Sequence, residues 1–259
     1  MVFRWWRKRR RKQLALEPFS AEWSMIVQRN CRQFAGLTPV EQTRFLRDTR
    51  WFVDEKNIEG SVDLTLTDEI RVTIAAHAAL IGLGFPEPPF DRLMSIIVRP
   101  ESYVMKTTHN FGGSLNIVSD EARIGEAWKH GPVVLSWEDI QQQCRDEPDG
   151  RNVILHELAH LLDMENAEVD GVPVMKDREQ YERWKRVNDA EYRQLVRDIQ
   201  QGYDTLIDTY GGTSPTEFFA VVTETFFEEP RDLKRFHREL YEVFREYYRQ
   251  DPAERETAF

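Results

Sequence analysis

The sequence predicts an α+β fold, mainly helical, with a small mixed sheet beside one central apolar helix. Helix-start signals at Thr38-Pro39-Val40-Glu41, Leu66-Thr67-Asp68-Glu69 and Ser214-Pro215 each lead into apolar residues at helical spacing. Only short β-rich runs interrupt them, Ser95-Ile96-Ile97-Val98 and Pro132-Val133-Val134-Leu135-Ser136. The run Val153–Asp163 is apolar nearly all round, as a buried helix is.

Taken in order, the chain opens with Phe3-Arg4-Trp5-Trp6-Arg7-Lys8-Arg9-Arg10-Arg11-Lys12, cationic and aromatic in a sequence whose net charge is −10. Residues 1–13 are read as a basic aromatic tail. A solvated segment is one reading, and weak contact with an anionic membrane surface, where tryptophan favours the interface, is the other. No apolar stretch follows the charges, so a signal peptide is not expected, and no later segment is long and apolar enough to span a bilayer.

Residues 20–84 read as helices. Phe45, Leu46 and Phe52 carry the apolar face of one, while Ala75, Ala76, Ala78 and Ala79 let the next pack closely before Gly84 ends it. His77 in that second helix is read as a core residue. Phe85-Pro86-Glu87-Pro88-Pro89 breaks the pattern, and the strand at 95–98 follows. Residues 103–119 are polar and contain glycine, as a hairpin or loop would be. After the second strand, Ser136-Trp137-Glu138-Asp139 caps a short helix, and Glu147-Pro148-Asp149-Gly150 turns the chain into Val153–Asp163. Beyond it, Tyr181, Trp184, Val187, Tyr192, Leu195 and Ile199 form the stripe of a charged surface helix over 177–201. A final amphipathic helix is expected over 232–250, with Leu233, Phe236, Leu240, Val243, Phe244 and Tyr247 inward.

Chemistry concentrates in His156-Glu157-Leu158-Ala159-His160. Four residues apart on a helix, the two histidines point the same way and can reach one metal ion, while Glu157 faces water bound to that ion. A catalytic zinc needs a third protein ligand. The longer pattern HExxHxxGxxH is excluded, because Asp163 and Asn166 stand where it needs Gly and His. His77, His109, His130 and His237 are scattered singly, which leaves a carboxylate. Glu217 occupies the first turn of the helix that Ser214-Pro215 opens, where it is either a cap or a ligand. Glu224, seven residues on, shares its face and is placed to orient a histidine. Asp208 is the runner-up ligand, one residue short of the aspartate-to-Tyr-Gly spacing of enzymes with an aspartate third ligand. Asp163 is read as an acceptor holding an imidazole. The acidic residues after it lack the glycine and glutamate spacing of an EF-hand.

At 259 residues the chain is long enough for one large domain, and its negative charge argues against binding nucleic acid through the whole surface. Its two cysteines, Cys31 and Cys144, are far apart, so a reducing, cytoplasmic setting is expected.

HELAHLLD, Tyr210-Gly211-Gly212 and the helix SPTEFFAVVTETFF resemble the Mlc titration factor A family of bacterial metallopeptidases, as do Gly125-Glu126-Ala127-Trp128 and Gly131-Pro132-Val133-Val134-Leu135-Ser136-Trp137. A more remote similarity links the chain to the catalytic domain of anthrax lethal factor. The resemblance implies a zincin-like metallopeptidase domain over 14–252, with a helical scaffold over 14–90 and a catalytic part over 91–252. It implies one zinc ion held by His156, His160 and Glu217, with Glu157 as general base and Tyr210 beside the reacting carbonyl. An edge strand would pair with an extended peptide or protein substrate, whether the activity is that of an aminopeptidase or of an endopeptidase. Members also bind the glucose repressor Mlc, so the resemblance equally implies a regulator of transcription, and a non-catalytic zinc protein that sequesters a repressor is the alternative.

Overall fold

The structure is a computed structural model that describes residues 9–11, 13–14, 17–93, 95–101, 108–111, 115–118, 132–166 and 169–255. It is mainly helical, with a small three-stranded parallel sheet. Helix α1 (Ala21–Asn30) starts at Ser20, whose Oγ accepts from Trp23 N–H. Helix α2 (Pro39–Glu55) has the full capping box: Thr38 Oγ1 accepts from Glu41 N–H at 3.4 Å, and Glu41 Oε2 accepts from Thr38 N–H at 2.9 Å. Helix α3 (Asp68–Gly82) is buried from Val72 to Gly82, its alanines letting α2 lie close along it.

Strands β1 (Asn57–Gly60), β2 (Ser95–Arg99) and β5 (Val133–Ser136) run parallel in the order β1-β2-β5, with Ile58 opposite Ile96 and Ile96 opposite Val133. Between β2 and β5, strands β3 (Thr108–Phe111) and β4 (Leu115–Val118) form a separate antiparallel pair, so the mixed sheet expected from sequence resolves into two pieces. Parallel strands need long crossovers, and α3 lies in the one from β1 to β2. Strand β1 escaped sequence reading because Asn57-Ile58-Glu59-Gly60 buries one apolar side chain, Ile58, too few to show a period.

Helix α4 (Trp137–Arg145) starts at Ser136 as expected. Helix α5 (Val153–Asp163) crosses the core against β5, α3 and α7 (Pro215–Glu228), while α6 (Arg178–Gln201) runs on the surface with Trp184, Val187, Leu195 and Ile199 buried. The final helix is two, α8 (Pro230–Phe236) and α9 (Arg238–Tyr248). His237 leaves helical geometry at φ −129°, ψ 57°, and its Nδ1 lies 2.9 Å from Glu191 Oε2 on α6. Phe236, expected on the inner side, lies just before that break and is 61% exposed.

The last helix closes onto the first half of the chain. Gln250 Nε2 donates to Leu80 O at 2.9 Å, Arg255 reaches Glu41 Oε1 at 3.1 Å, and a Cβ at Gly84 would collide with Tyr248 O. Of the basic opening segment, residues 1–8 lie outside the described residues. Lys12 lies outside them too, while Arg10 pairs with Asp54 on α2 at 2.6 Å, and Arg11 pairs with Glu55 at 2.5 Å while lying 4.8 Å over the Trp51 ring. No helix among the described residues is long and apolar enough to cross a membrane. Cys31 and Cys144 are free.

His77 is buried in α3, its Nδ1 2.9 Å from Thr73 O, and burial lowers its pKa to about 4. Between that value and the ordinary ~6.5, the unfolded chain takes up a proton that the folded chain refuses. Stability should therefore fall as pH drops through this window, by roughly 3 kcal/mol in all. Urea unfolding from pH 7.5 to 4 should show that loss in the native sequence and a shallower one in His77→Gln.

Candidate metal centre

The apolar residues of α5 decide where its polar ones point. Leu155, Leu158, Ala159 and Leu162 are buried, which turns His156 and His160 toward α7. Asn152 starts the helix, its Oδ1 accepting from Leu155 N–H at 3.1 Å. On α7, Ser214 Oγ caps the N–H of Glu217 at 3.2 Å, but the Glu217 carboxylate does not fold back as a capping box requires. It faces the histidines instead, with Oε2 3.0 Å from His156 Nε2 and Oε1 3.4 Å from His160 Nε2. The two Nε2 atoms are 3.1 Å apart. The backbone of this one residue is thus capped while its side chain faces the histidines.

The three groups offer donor atoms within 4.8 Å of one another. Bonds of 2.0–2.1 Å at tetrahedral angles place zinc ligands about 3.3 Å apart, close to the spacings seen here. Glu217 is 2% exposed, and two imidazole nitrogens facing each other and a buried carboxylate suit a cation at their centre. These residues therefore fit a divalent metal.

Glu224 does what its spacing suggested: Oε1 lies 2.6 Å from His156 Nδ1, and Oε2 accepts from Asn152 N–H at 2.5 Å. Burial alone would lower the pKa of His156, but Glu224 and Glu217 overcome it and hold the ring well above its ordinary value. Burial would likewise raise Glu217, yet hydrogen bonds from His156 and His160 hold it far below the usual carboxylate range. Glu157 behaves oppositely. Its Oε2 is buried without a hydrogen-bond partner among the described residues, and burial raises its pKa against the pull of His160 and His156.

Tyr210 lies in a short 3-10 turn (Thr209–Gly212), its ring centroid 5.9 Å from that of His156. Asp208 is outside the cluster: Oδ1 accepts from Tyr210 N–H at 2.8 Å, and Oδ2 accepts from Arg151 Nε at 2.7 Å. Asp163 does not hold an imidazole as expected. Its Oδ2 accepts from Gly171 N–H at 2.9 Å, Oδ1 is buried without a hydrogen-bond partner among the described residues, and burial raises the carboxyl to about 6. Gly171, at φ +77°, packs so tightly on Pro215 O that a Cβ would collide, which brings this loop to the start of α7 and under Asp163. The side chain of His109, all of His130, and the segment Gly125-Glu126-Ala127-Trp128 lie outside the described residues.

Sequence reading missed Asn152 and Glu228. Asn152 Nδ2 donates to Glu228 Oε1 at 2.7 Å, and Glu228 falls four residues after Glu224 and eleven after Glu217, on the same stripe of α7. That spacing was the available signal.

Two histidines and a glutamate on one buried helix, facing an acid from a second helix in an α+β domain in a cluster that could hold a metal ion, are the arrangement of the metallopeptidase class. The chain belongs to the family of glucose-regulated metallo-peptidases M90, whose sequence profile matches residues 3–249. Such a family implies a bound metal ion. The uncharacterized protein slr2042 of Synechocystis sp. is 37% identical over 248 residues, covering 95% of this chain and 90% of that protein. Proteins named Mlc titration factor A are similar as well: that of Edwardsiella ictaluri is 32% identical over 85% of both chains, and that of Serratia proteamaculans 29% identical over 83% of this chain and 82% of its own.

Proposed function

We propose that the chain is a zinc-dependent peptidase, with His156, His160 and Glu217 as ligands, Glu157 as general base and Tyr210 as a hydrogen-bond donor to the reacting carbonyl. The convergence of His156, His160 and Glu217 beside the unpartnered Glu157 Oε2 carries this reading. A zinc ion held there supplies Lewis-acid chemistry, polarising a carbonyl and making water acidic. Glu157 takes the proton of the attacking water and returns it to the leaving amine, a role suited to a carboxylate whose proton affinity burial has raised. The Tyr210 hydroxyl stabilises the developing oxyanion. Strand β5, the outer strand that packs against α5, is assigned the pairing with an extended peptide.

Protein stripped with a chelator should lose hydrolysis of short chromogenic peptides and regain it with one equivalent of zinc. Blocked and unblocked peptides separate endopeptidase from aminopeptidase action. A stripped protein as active as the untreated one would overturn the reading. Tyr210→Phe should lower kcat about a hundredfold, the worth of one oxyanion donor, with zinc content unchanged.

The name of the 32% identical relative, Mlc titration factor A, supports a second role, binding a transcriptional repressor of the Mlc kind. A variant that neither holds zinc nor hydrolyses peptide yet still binds such a repressor would assign sequestration to a different surface.

A further inference from the structure

We propose that Glu228 is a positioning residue for the His156 ring: its carboxylate fixes the Asn152 side chain, Asn152 fixes Glu224, and Glu224 fixes the imidazole. The inference rests on the reading of His156 as a metal ligand, and it adds a residue outside the ligand cluster.

For His156 Nε2 to face the cluster as a lone-pair donor, Nδ1 must carry the proton and give it to an acceptor. Glu224 Oε1 is that acceptor at 2.6 Å. A carboxylate bonded at one oxygen alone can swing, whereas Glu224 has its second oxygen, Oε2, held by Asn152 N–H at 2.5 Å. Asn152 is pinned in turn at both ends of its amide. Oδ1 accepts from Leu155 N–H at 3.1 Å, and Nδ2 donates to Glu228 Oε1 at 2.7 Å. With Asn152 buried, removing that acceptor orphans a donor, and the amide can recover a partner only by turning away from its cap. The second outcome loosens the start of α5, which carries the backbone N–H aimed at Glu224.

Glu228 is itself held. Its side chain is 5% exposed, and Arg32 Nε stands 3.9 Å from Oε2. Arg32 also donates to Gln143 O at 2.7 Å and Asp146 O at 2.8 Å, while Gln143 Oε1 accepts from Val153 N–H at 2.9 Å. One guanidinium thus links the end of α4, the start of α5 and the far end of the α7 stripe.

The test uses the full chain with Glu228→Gln, Glu228→Ala and, as a packing control, Val222→Ala at a fully buried position of α7 outside this chain of bonds. Two quantities are read: the zinc dissociation constant by chelator competition, and, in metal-free protein, the Nδ1–H resonance of His156 in nitrogen-15 NMR. Gln keeps the acceptor, so Glu228→Gln should stay within about twofold of the native zinc affinity and keep the resonance. Glu228→Ala should weaken zinc roughly ten- to a hundredfold and broaden the resonance away. Val222→Ala should change neither at a comparable loss of thermal stability. Native behaviour of Glu228→Ala in both readouts, equal losses in Gln and Ala, or an equal loss in Val222→Ala would each overturn the proposal. If the native protein bound no zinc while the resonance responded as stated, the metal reading would fail and the positioning role would stand.

Discussion

Glu157→Gln is expected to bind zinc as the native protein does and to hydrolyse peptides two to four orders of magnitude more slowly. The substitution is nearly isosteric, so the buried slot around Oε2 stays filled and His156, His160 and Glu217 keep their spacing. What it removes is the capacity to take a proton, and a positioned general base is worth that range. Metal analysis beside steady-state kinetics on one chromogenic peptide checks both halves. Activity within tenfold of native would take Glu157 out of the mechanism.

Glu217→Ala should abolish stoichiometric zinc binding, and with it all metal-dependent hydrolysis. Among the described residues the carboxylate is the only acidic group of the cluster, and the alternatives named from sequence are engaged elsewhere: Asp208 with Arg151 and the Tyr210 N–H, Glu224 with His156 Nδ1 and the Asn152 N–H. The variant also removes from His156 one of the two carboxylates that raise its pKa, so the basicity of that ring should fall. Zinc content per chain after dialysis, measured by atomic absorption, decides the matter. One zinc per chain in Glu217→Ala would move the third ligand to another residue.

How much of this was legible in the sequence follows the range of the interactions. Helix starts are local, so Thr38-Pro39-Val40-Glu41, Thr67 and Ser214-Pro215 could be read directly, and all three open helices where expected. The four-residue spacing of His156 and His160 and the seven-residue spacing of Glu217 and Glu224 are properties of single helices too, and the structure brings these side chains together. Relations between elements were not legible. Asp163 was read as an imidazole partner because nothing local shows that Gly171, eight residues on, brings its N–H under the carboxylate. Asn152 meets Glu228 across 76 positions of sequence, and the bend at His237 is accompanied by a contact with Glu191, 46 positions earlier. The expected mixed sheet divided because strand direction depends on crossovers that composition does not encode.

The seam at Gln250 and Arg255 has a kinetic implication. Leu80 and Glu41 receive their partners from residues 170 and 214 positions later, so these contacts cannot form until that intervening stretch has been synthesised. Such distant closures slow folding, since loop entropy is lost before contact energy is gained. During synthesis the nascent helical half must wait with part of its apolar surface uncovered. Removing the stretch after Tyr248 should therefore lower the yield of soluble protein far more than a loss of so few residues would suggest.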